Sequence, residues 1–297
     1  MNDGVLLMNF GRKHLSHQLI SLYSLRRFWS GPVAICCDAD AAEPLQKVCD
    51  VDDGVRLILF EPYRRAELGD GAGYLNKTRL IELSPFARAV FFDADTIIVG
   101  KFPEIFPDDI EIRLTQFSDW VTTGNKVSAR IRRWNDVLPA EVSVQISIPY
   151  PSINTGVLGL SKLSRRLSTA WQDATKKNVS FMCDELSMQL IFPAFPHVVL
   201  PDYFNASPIY SPGRPGFEAK RVRVWHGHGF KSIRSAAGLR LWLPVIFEML
   251  ENDKFGLRQS FQFNKYFERL AADPAAFCSK YGGDEICDLF SLSNRGL

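Results

Sequence analysis

Residues 90–98 read VFFDADTII, an apolar run that leads into two aspartates and then resumes. A strand buried on both faces of a parallel sheet has a near-continuous apolar sequence. Asp93 and Asp95 should therefore lie at the carboxyl edge of a sheet, where open α/β folds bind ligands. The nearest basic residues in the sequence are Arg88 and Lys101. The pair thus predicts a site for a divalent cation, which prefers carboxylate and phosphate oxygens, rather than an aspartate-rich surface turn.

Segments before this stretch alternate between strand and helix patterns. Apolar runs predict strands at residues 5–10, 33–37 and 55–60, and helical spacing predicts helices at 16–29 and 41–49. A further helix over residues 76–83 should lead into the central strand. This alternation predicts an α/β fold with βαβ units and a mostly parallel sheet flanked by helices. Later strands are expected at 152–160, 198–200 and 222–225, with helices at 164–175 and 184–191.

Two regions fall outside this alternation. Residues 119–150 have the character of an insertion, and a basic helix is expected over 122–134, with Lys126, Arg130, Arg132 and Arg133. From residue 236 onward the sequence is helical and rich in aromatic residues. We therefore expect one α/β domain over residues 1–235 and a helical C-terminal extension over residues 236–297.

Charge and composition narrow the class of protein. The net charge of the 297-residue chain is only +2, which gives no electrostatic reason to expect nucleic-acid binding. The first residues lack the basic segment of a signal peptide, and no apolar segment approaches the ~20 residues of a membrane-spanning helix. The six cysteines form no C-x-x-C pair, which is typical of reduced thiols. We expect a cytoplasmic protein, and peripheral attachment to the inner face of a membrane stays open.

Two unrelated enzyme classes place Asp-x-Asp after an apolar strand. In haloacid-dehalogenase-like phosphatases the motif is hhhDxDxT, and Asp93 and Asp95 match its two aspartates after the apolar run. The first aspartate would then be a nucleophile and the second a general acid. That motif normally lies on the first strand of its domain, whereas two βα units precede it here. This difference in position disfavours the phosphatase, which is kept as the alternative function.

The second class is the nucleotide-sugar glycosyltransferases, and here the chain resembles family 8, which includes glycogenin and bacterial lipopolysaccharide galactosyl- and glucosyltransferases. Residues 74–106 contain the family's lysine, helix, Ser-Pro turn and hydrophobic strand into D-A-D-T. Residues 154–157, NTGV, resemble its N-[ST]-G-V segment, and Asp184-Glu185 resembles its D-[QE] pair. Residues 226–231, HGHGFK, resemble its H-x-x-G-x-x-K motif, with the lysine one residue early. The four pieces occur in the family's order.

This resemblance implies a GT-A fold and a metal-dependent glycosyltransferase that moves a hexose from a nucleotide sugar, with UDP-hexose as donor. It favours retention of configuration, which the residues alone leave open. The implied ligands of Mn²⁺ or Mg²⁺ are Asp93, Asp95 and His226, although His228 is a second imidazole close by. The implied catalytic residues are Lys77, Asn154, Asp184 and Glu185. The implied contacts of the donor are Met8, Asn9, Phe10, Lys77, Asp93, Ala94, Asp95, Gly229 and Lys231.

The acceptor is the part of the reaction that the sequence leaves open. A glycan, a lipid-linked glycan, a protein and a small molecule are all compatible with it. The basic insertion and the aromatic extension lie outside the donor motifs, so we expect them to contact the acceptor. A non-catalytic GT-A-fold binding protein is a further alternative, but none of the expected metal ligands is missing. A sugar nucleotidylyltransferase would need a glycine-rich loop, and residues 10–13 contain one glycine.

Overall fold

The structure is a computed structural model of the chain. It describes residues 3–12, 14–63, 71–108, 112–116, 153–177, 182–208, 211–212 and 214–227, and the single residues 135, 140, 245 and 248. The predicted basic helix, Gly229, Lys231 and His228 lie outside these residues. So does the C-terminal extension apart from Val245 and Glu248.

A mixed sheet of seven strands forms the centre of the molecule. The described residues contain nine strands: β1 (Asp3–Asn9), β2 (Val33–Cys37), β3 (Val55–Leu59), β4 (Arg88–Phe92), β5 (Thr96–Ile98), β6 (Ile112–Gln116), β7 (Ile153–Ser161), β8 (His197–Leu200) and β9 (Val224–His226). The central sheet has the order β3-β2-β1-β4-β7-β6-β8. Only β7 runs antiparallel to its neighbours, β4 and β6. The predicted mostly parallel sheet is confirmed.

Helices cover both faces of this sheet. They are α1 (Leu15–Arg26), α2 (Ala39–Cys49), α3 (Ala72–Lys77), α4 (Leu80–Leu83), α5 (Arg165–Lys177) and α6 (Cys183–Ile191). Side chains of β1 alternate between the two faces. Val5 and Leu7 pack in the cluster that contains α1 and α2, while Leu6 and Met8 pack in the cluster that contains α4, α5 and α6. Apolar layers on both faces explain why the strands have continuous apolar sequences.

A small second sheet lies beside the carboxyl edge of the central one. β5 and β9 pair in antiparallel fashion, with Thr96 opposite His226. The hydroxyl groups of Ser21 and Ser24, both on α1, hold β5 in place. Ser21 Oγ lies 2.9 Å from Thr96 Oγ1, and Ser24 Oγ accepts the amide of Ile98 at 3.0 Å. This pairing brings the end of the described α/β region back to the two aspartates.

The predicted helix over residues 76–83 is wrong in its boundaries. The structure has two short helices there, α3 and α4, and α3 begins four residues before the predicted start. Thr78 interrupts the helix because its hydroxyl donates to the carbonyl of Leu75 at 2.7 Å. The amides of Thr78 and Arg79 bond to carbonyls three residues back, which tightens the turn. As a result Lys77 is the last residue of α3 and points toward the carboxyl edge of the sheet.

Two described residues of the C-terminal extension contact α1. Val245 is buried in the cluster that contains α1 and α2. Glu248 accepts the hydroxyl of Tyr23 at 3.2 Å and lies 3.7 Å from Arg27. Among the described residues, no helix has the length and apolar character needed to cross a bilayer.

A buried ion pair at the end of α1 leads to a prediction about stability. Arg26 donates to both carboxylate oxygens of Asp52, at 2.8 and 3.0 Å, and its side chain is only 5% exposed. Asp52→Ala should lower the free energy of unfolding by about 3 kcal/mol, because it leaves a buried guanidinium without its counter-ion. Chemical denaturation measures this loss. Glu82→Ala removes the exposed partner of Arg79 and should cost less than about 1 kcal/mol. Equal losses in the two variants would contradict the prediction.

Candidate metal and donor site

Asp93, Ala94 and Asp95 form a tight turn directly after β4. The amide of Asp93 donates to the carbonyl of Gly156 at 2.8 Å, which ties the turn to β7. Thr96 closes the turn from the other side, since both its amide and its hydroxyl donate to the carbonyl of Asp93, at 3.2 and 2.8 Å. Both carboxylates therefore lie at the carboxyl edge of the sheet, where the sequence predicted them.

The structure brings His226 to the same place. Its Nε2 lies 3.1 Å from Asp95 Oδ1 and 3.7 Å from Asp93 Oδ2. One ligand atom from each of the three side chains lies within 4.8 Å of the others. The amide of Gly227 donates to the carbonyl of Asp95 at 3.1 Å, which fixes the end of β9 against the turn. Two carboxylates and one imidazole at this spacing could hold a divalent cation such as Mn²⁺.

Burial and charge act in opposite directions on these groups. Burial lowers the pKa of His226, but the carboxylates of Asp95 and Asp93 outweigh it, so the pKa lies above its usual value. For Asp93 burial acts the other way: it raises the pKa of the carboxyl group. The charges of Lys77 and His226 oppose this rise, and the pKa stays above its usual value. The two carboxylates thus favour a positive charge close to them. A bound dication would supply that charge without a proton on the imidazole.

Lys77 is the counter-ion that the neighbouring sequence did not reveal. Its Nζ lies 2.8 Å from Asp93 Oδ2 and 3.3 Å from Asp184 Oδ2. Burial lowers the pKa of the Lys77 ammonium group, but the charges of Asp93 and Asp184 raise it by more. The pKa therefore lies above its usual value, and the group stays charged. The basic residue nearest in sequence, Arg88, lies at the opposite end of β4 and pairs with Asp3.

Asp184 and Glu185 lie in the first turn of α6 and are both buried. Thr155 donates its hydroxyl to Asp184 Oδ2 at 2.6 Å, and the amide group of Asn154 donates to Glu185. Asp184 Oδ1 is buried and accepts no hydrogen bond within the described part of the chain. Met182, which precedes the helix, has a φ of 58°, a strained conformation of the kind that clusters at functional sites. The four predicted catalytic residues therefore share one connected region with Asp93.

The predicted nucleotide edge adjoins this region. Met8 and Asn9 end β1, and Phe10 follows them; β1 is the parallel neighbour of β4. Asn9 donates to the carbonyl of Gly11 at 3.0 Å, while its buried Oδ1 has no hydrogen-bond partner among the described residues. The amide of Gly11, which has a φ of 64°, donates to the carboxylate of Asp38 at the start of α2. No motif in the sequence marks Asp38.

Asn205 is a second residue of this site that no sequence motif marks. Its side chain is fully buried and lies between the metal ligand and the catalytic residues. Its Nδ2 donates to Thr115 Oγ1 at 2.8 Å and to Asn154 Oδ1 at 3.0 Å, and its Oδ1 lies 2.9 Å from His226 Nδ1. An asparagine between apolar residues is typical of a turn, so only the folded structure reveals this position.

Comparison with protein-family models and with curated proteins finds no match. Comparison with solved structures finds the apo structure of a bifunctional glycosyltransferase, WbbM, with a TM-score of 0.56 and 13% sequence identity. The match covers 77% of this chain and 46% of that one, so the chain spans about half the length of this relative. At this identity the likeness shows the fold. The chain has a GT-A-like glycosyltransferase fold, and its assignment to family 8 stays a prediction.

Proposed function

We propose that the protein is a metal-dependent glycosyltransferase that moves a hexose from UDP-hexose to an acceptor with retention of configuration. One observation supports this proposal most strongly. In a glycosyltransferase fold, the ligand atoms of Asp93, Asp95 and His226 converge within 4.8 Å at the carboxyl edge of the sheet. These side chains would hold Mn²⁺ or Mg²⁺, which as a Lewis acid stabilises negative charge on a diphosphate leaving group.

The neighbouring residues provide contacts for the donor. Asn9 Oδ1 is a buried acceptor at the end of β1, and it suits the imide N–H of a uracil ring. Lys77 would supply a positive point charge to the donor phosphates or sugar. Gly229 and Lys231 would contact the diphosphate by the resemblance, and both lie outside the described residues. Met8, Phe10 and Ala94 would contribute backbone and apolar contacts along the same edge.

The buried carboxylates would bind and orient the sugar. Asp184 Oδ1 lacks a hydrogen bond within the described region, and such a buried acceptor suits a sugar hydroxyl group. Asn154 and Glu185 are joined by a hydrogen bond and lie on the adjoining side of the site. By the resemblance, this pair of carboxylates lies beside the reacting carbon. Their rigid anchoring would hold donor and acceptor in one geometry.

The test of this function is the dependence of donor binding on a metal. Calorimetric titration with UDP-glucose, UDP-galactose and their GDP and ADP counterparts should show binding of the UDP-sugars in the presence of Mn²⁺. Slow hydrolysis of the bound UDP-sugar should accompany it. Removal of the metal with EDTA should abolish both signals, and fresh Mn²⁺ should restore them. If no nucleotide sugar binds in the presence of Mn²⁺ and none binds in the presence of Mg²⁺, the proposal is refuted.

The phosphatase alternative makes a different prediction for Asp93. As a nucleophile, Asp93 would be trapped by beryllium fluoride with Mg²⁺, and simple phosphate esters would be hydrolysed. We expect neither result. Asp93 follows the fourth strand of the domain, and its Oδ2 accepts a hydrogen bond from Lys77 Nζ. Steady hydrolysis of p-nitrophenyl phosphate that disappears in Asp93→Asn would favour the phosphatase.

The acceptor and the location of the protein remain part of the proposal. We propose that the acceptor contacts the basic insertion and the aromatic extension. The relevant basic residues are Lys126, Arg130, Arg132 and Arg133, which lie outside the described residues. A cytoplasmic enzyme with peripheral membrane contact would meet a glycan or lipid-linked glycan there. A protein or a small molecule is also chemically compatible.

A further inference from the structure

The orientation of the Asn205 amide follows from its neighbours. Asn154 Oδ1 accepts the backbone amide of Gly156 at 2.7 Å, and Asn154 Nδ2 donates to Glu185. Asn154 therefore presents its oxygen to Asn205, at 3.0 Å. Two oxygens at that distance need a donor between them, so Asn205 must present its amide nitrogen to Asn154. Its oxygen then faces His226.

This orientation determines which nitrogen of His226 carries the proton. Asn205 Oδ1 is an acceptor 2.9 Å from His226 Nδ1, so Nδ1 must donate. In the neutral imidazole the lone pair is then on Nε2. Nε2 is the atom that faces Asp95 Oδ1 at 3.1 Å and Asp93 Oδ2 at 3.7 Å. A second hydrogen-bond partner of this kind commonly fixes the tautomer of a metal-binding histidine.

Backbone pairing holds the segment that carries Asn205 beside β9, with Ala206 opposite Trp225. The amide of Ala206 donates to Val224 at 2.9 Å, and the amide of His226 donates back to Ala206 at 2.8 Å. One step earlier, the amide of Arg223 donates to Tyr203 at 2.8 Å. The segment that carries Asn205 therefore runs beside β9 in a fixed register.

We propose that Asn205 is a positioning residue that presents the Nε2 lone pair of His226 to the metal and ties this ligand to Asn154 and Glu185. This inference rests on the proposed metal site, and it extends that site to a residue that is not one of the proposed ligands. It also explains why a buried asparagine is held by three hydrogen bonds at this point.

Two substitutions at position 205 separate positioning from packing. Asn205→Leu keeps the branched shape and the number of side-chain heavy atoms but has no acceptor for Nδ1–H, and it should weaken Mn²⁺ binding in the presence of UDP by about 10–100-fold. Asn205→Asp keeps the acceptor for Nδ1–H, and the hydroxyl of Thr115 can turn to donate to the new carboxylate. It places an oxygen opposite Asn154 Oδ1, so it should be less stable than the parent. Its Mn²⁺ affinity should stay within a few-fold of the parent. Electron paramagnetic resonance of free Mn²⁺ measures both affinities.

A matched control removes hydrogen bonds at the same place without touching the bond to His226. Thr115→Val loses the hydrogen bond from Asn205 and the one to the carbonyl of Val157, while the Asn154 contact still orients Asn205. Thr115→Val should lower stability and leave Mn²⁺ affinity nearly unchanged. Asn205→Ser, whose hydroxyl is too short to reach Nδ1, replaces Asn205→Leu if the latter does not fold.

The proton on Nδ1 can be observed without a metal. The ¹H–¹⁵N spectrum of the imidazoles at neutral pH should show a slowly exchanging Nδ1–H proton on His226 in the parent and in Asn205→Asp, because Asn205 Oδ1 accepts it. In Asn205→Leu this proton should exchange rapidly with solvent. The resonance is assigned by its loss in His226→Gln. If the parent binds Mn²⁺ but Asn205→Leu keeps the same affinity and the same slow exchange of the Nδ1–H proton, the inference alone is overturned. If the parent does not bind Mn²⁺ with UDP, the proposed function fails and the inference fails with it.

Discussion

Asp95→Asn should abolish Mn²⁺-dependent binding of the nucleotide sugar while the fold stays intact. Asp95 Oδ1 is the carboxylate oxygen closest to His226 Nε2, at 3.1 Å. An amide in its place keeps the shape but loses the negative charge that a hard cation prefers. We expect a loss of more than about 100-fold in Mn²⁺ affinity, because loss of an outer hydrogen-bond partner alone typically costs 10–100-fold. The side chain is 26% exposed, so the free energy of unfolding should change little.

Asp53→Asn is the matched control for this variant, since it makes the same chemical change at an exposed position far from the site. Calorimetric titration with Mn²⁺ and UDP should separate the two variants, and thermal unfolding should not. A crystal soaked with Mn²⁺ and UDP should show the ion against Asp95. An ion bound elsewhere, or equal Mn²⁺ affinity in the two variants, would contradict the prediction.

The central sheet was predictable because β1, β2 and β4 are buried on both faces. In β4, the cluster with α1 and α2 contains Val90 and Phe92, and the cluster on the other face contains Phe91. The unbroken apolar run in the sequence therefore indicated that both faces of the strand are covered. The helix break at Thr78 was not predictable in this way. It depends on a side-chain hydroxyl that competes for a backbone carbonyl, and the apolar spacing on either side continues across it.

The candidate site was predictable where a motif lies on one strand and less so where distant segments meet. Asp93 and Asp95 follow an apolar run, so their position at the sheet edge could be inferred locally. The contacts of Lys77 depend on how α3 packs against β4 and α6, and a resemblance, not periodicity, indicated its importance. No sequence pattern indicated Asn205, because its contacts depend on the register between its segment and β9.

Lys77→Met should affect the metal and the donor in opposite directions. The ammonium group lies 2.8 Å from Asp93 Oδ2, the same oxygen that lies 3.7 Å from His226 Nε2. Without a donor, Lys77 and a divalent cation compete for that carboxylate. Removal of the ammonium should therefore raise the affinity for Mn²⁺ alone by at least about tenfold, since like-charge repulsion at such distances amounts to a few kcal/mol.

Donor turnover should fall in the same variant by about 100- to 1,000-fold, because Lys77 would no longer place its charge beside the leaving diphosphate. Lys162→Met removes an exposed lysine elsewhere on the described surface and should leave both quantities unchanged. Titration with Mn²⁺ alone and the rate of UDP-sugar hydrolysis measure the two effects on one sample. A variant that loses turnover but also binds Mn²⁺ less tightly would show that Lys77 supports the metal site and does not compete with the ion. That outcome would require a different position for the cation, away from Asp93 Oδ2 and closer to Asp95 and His226.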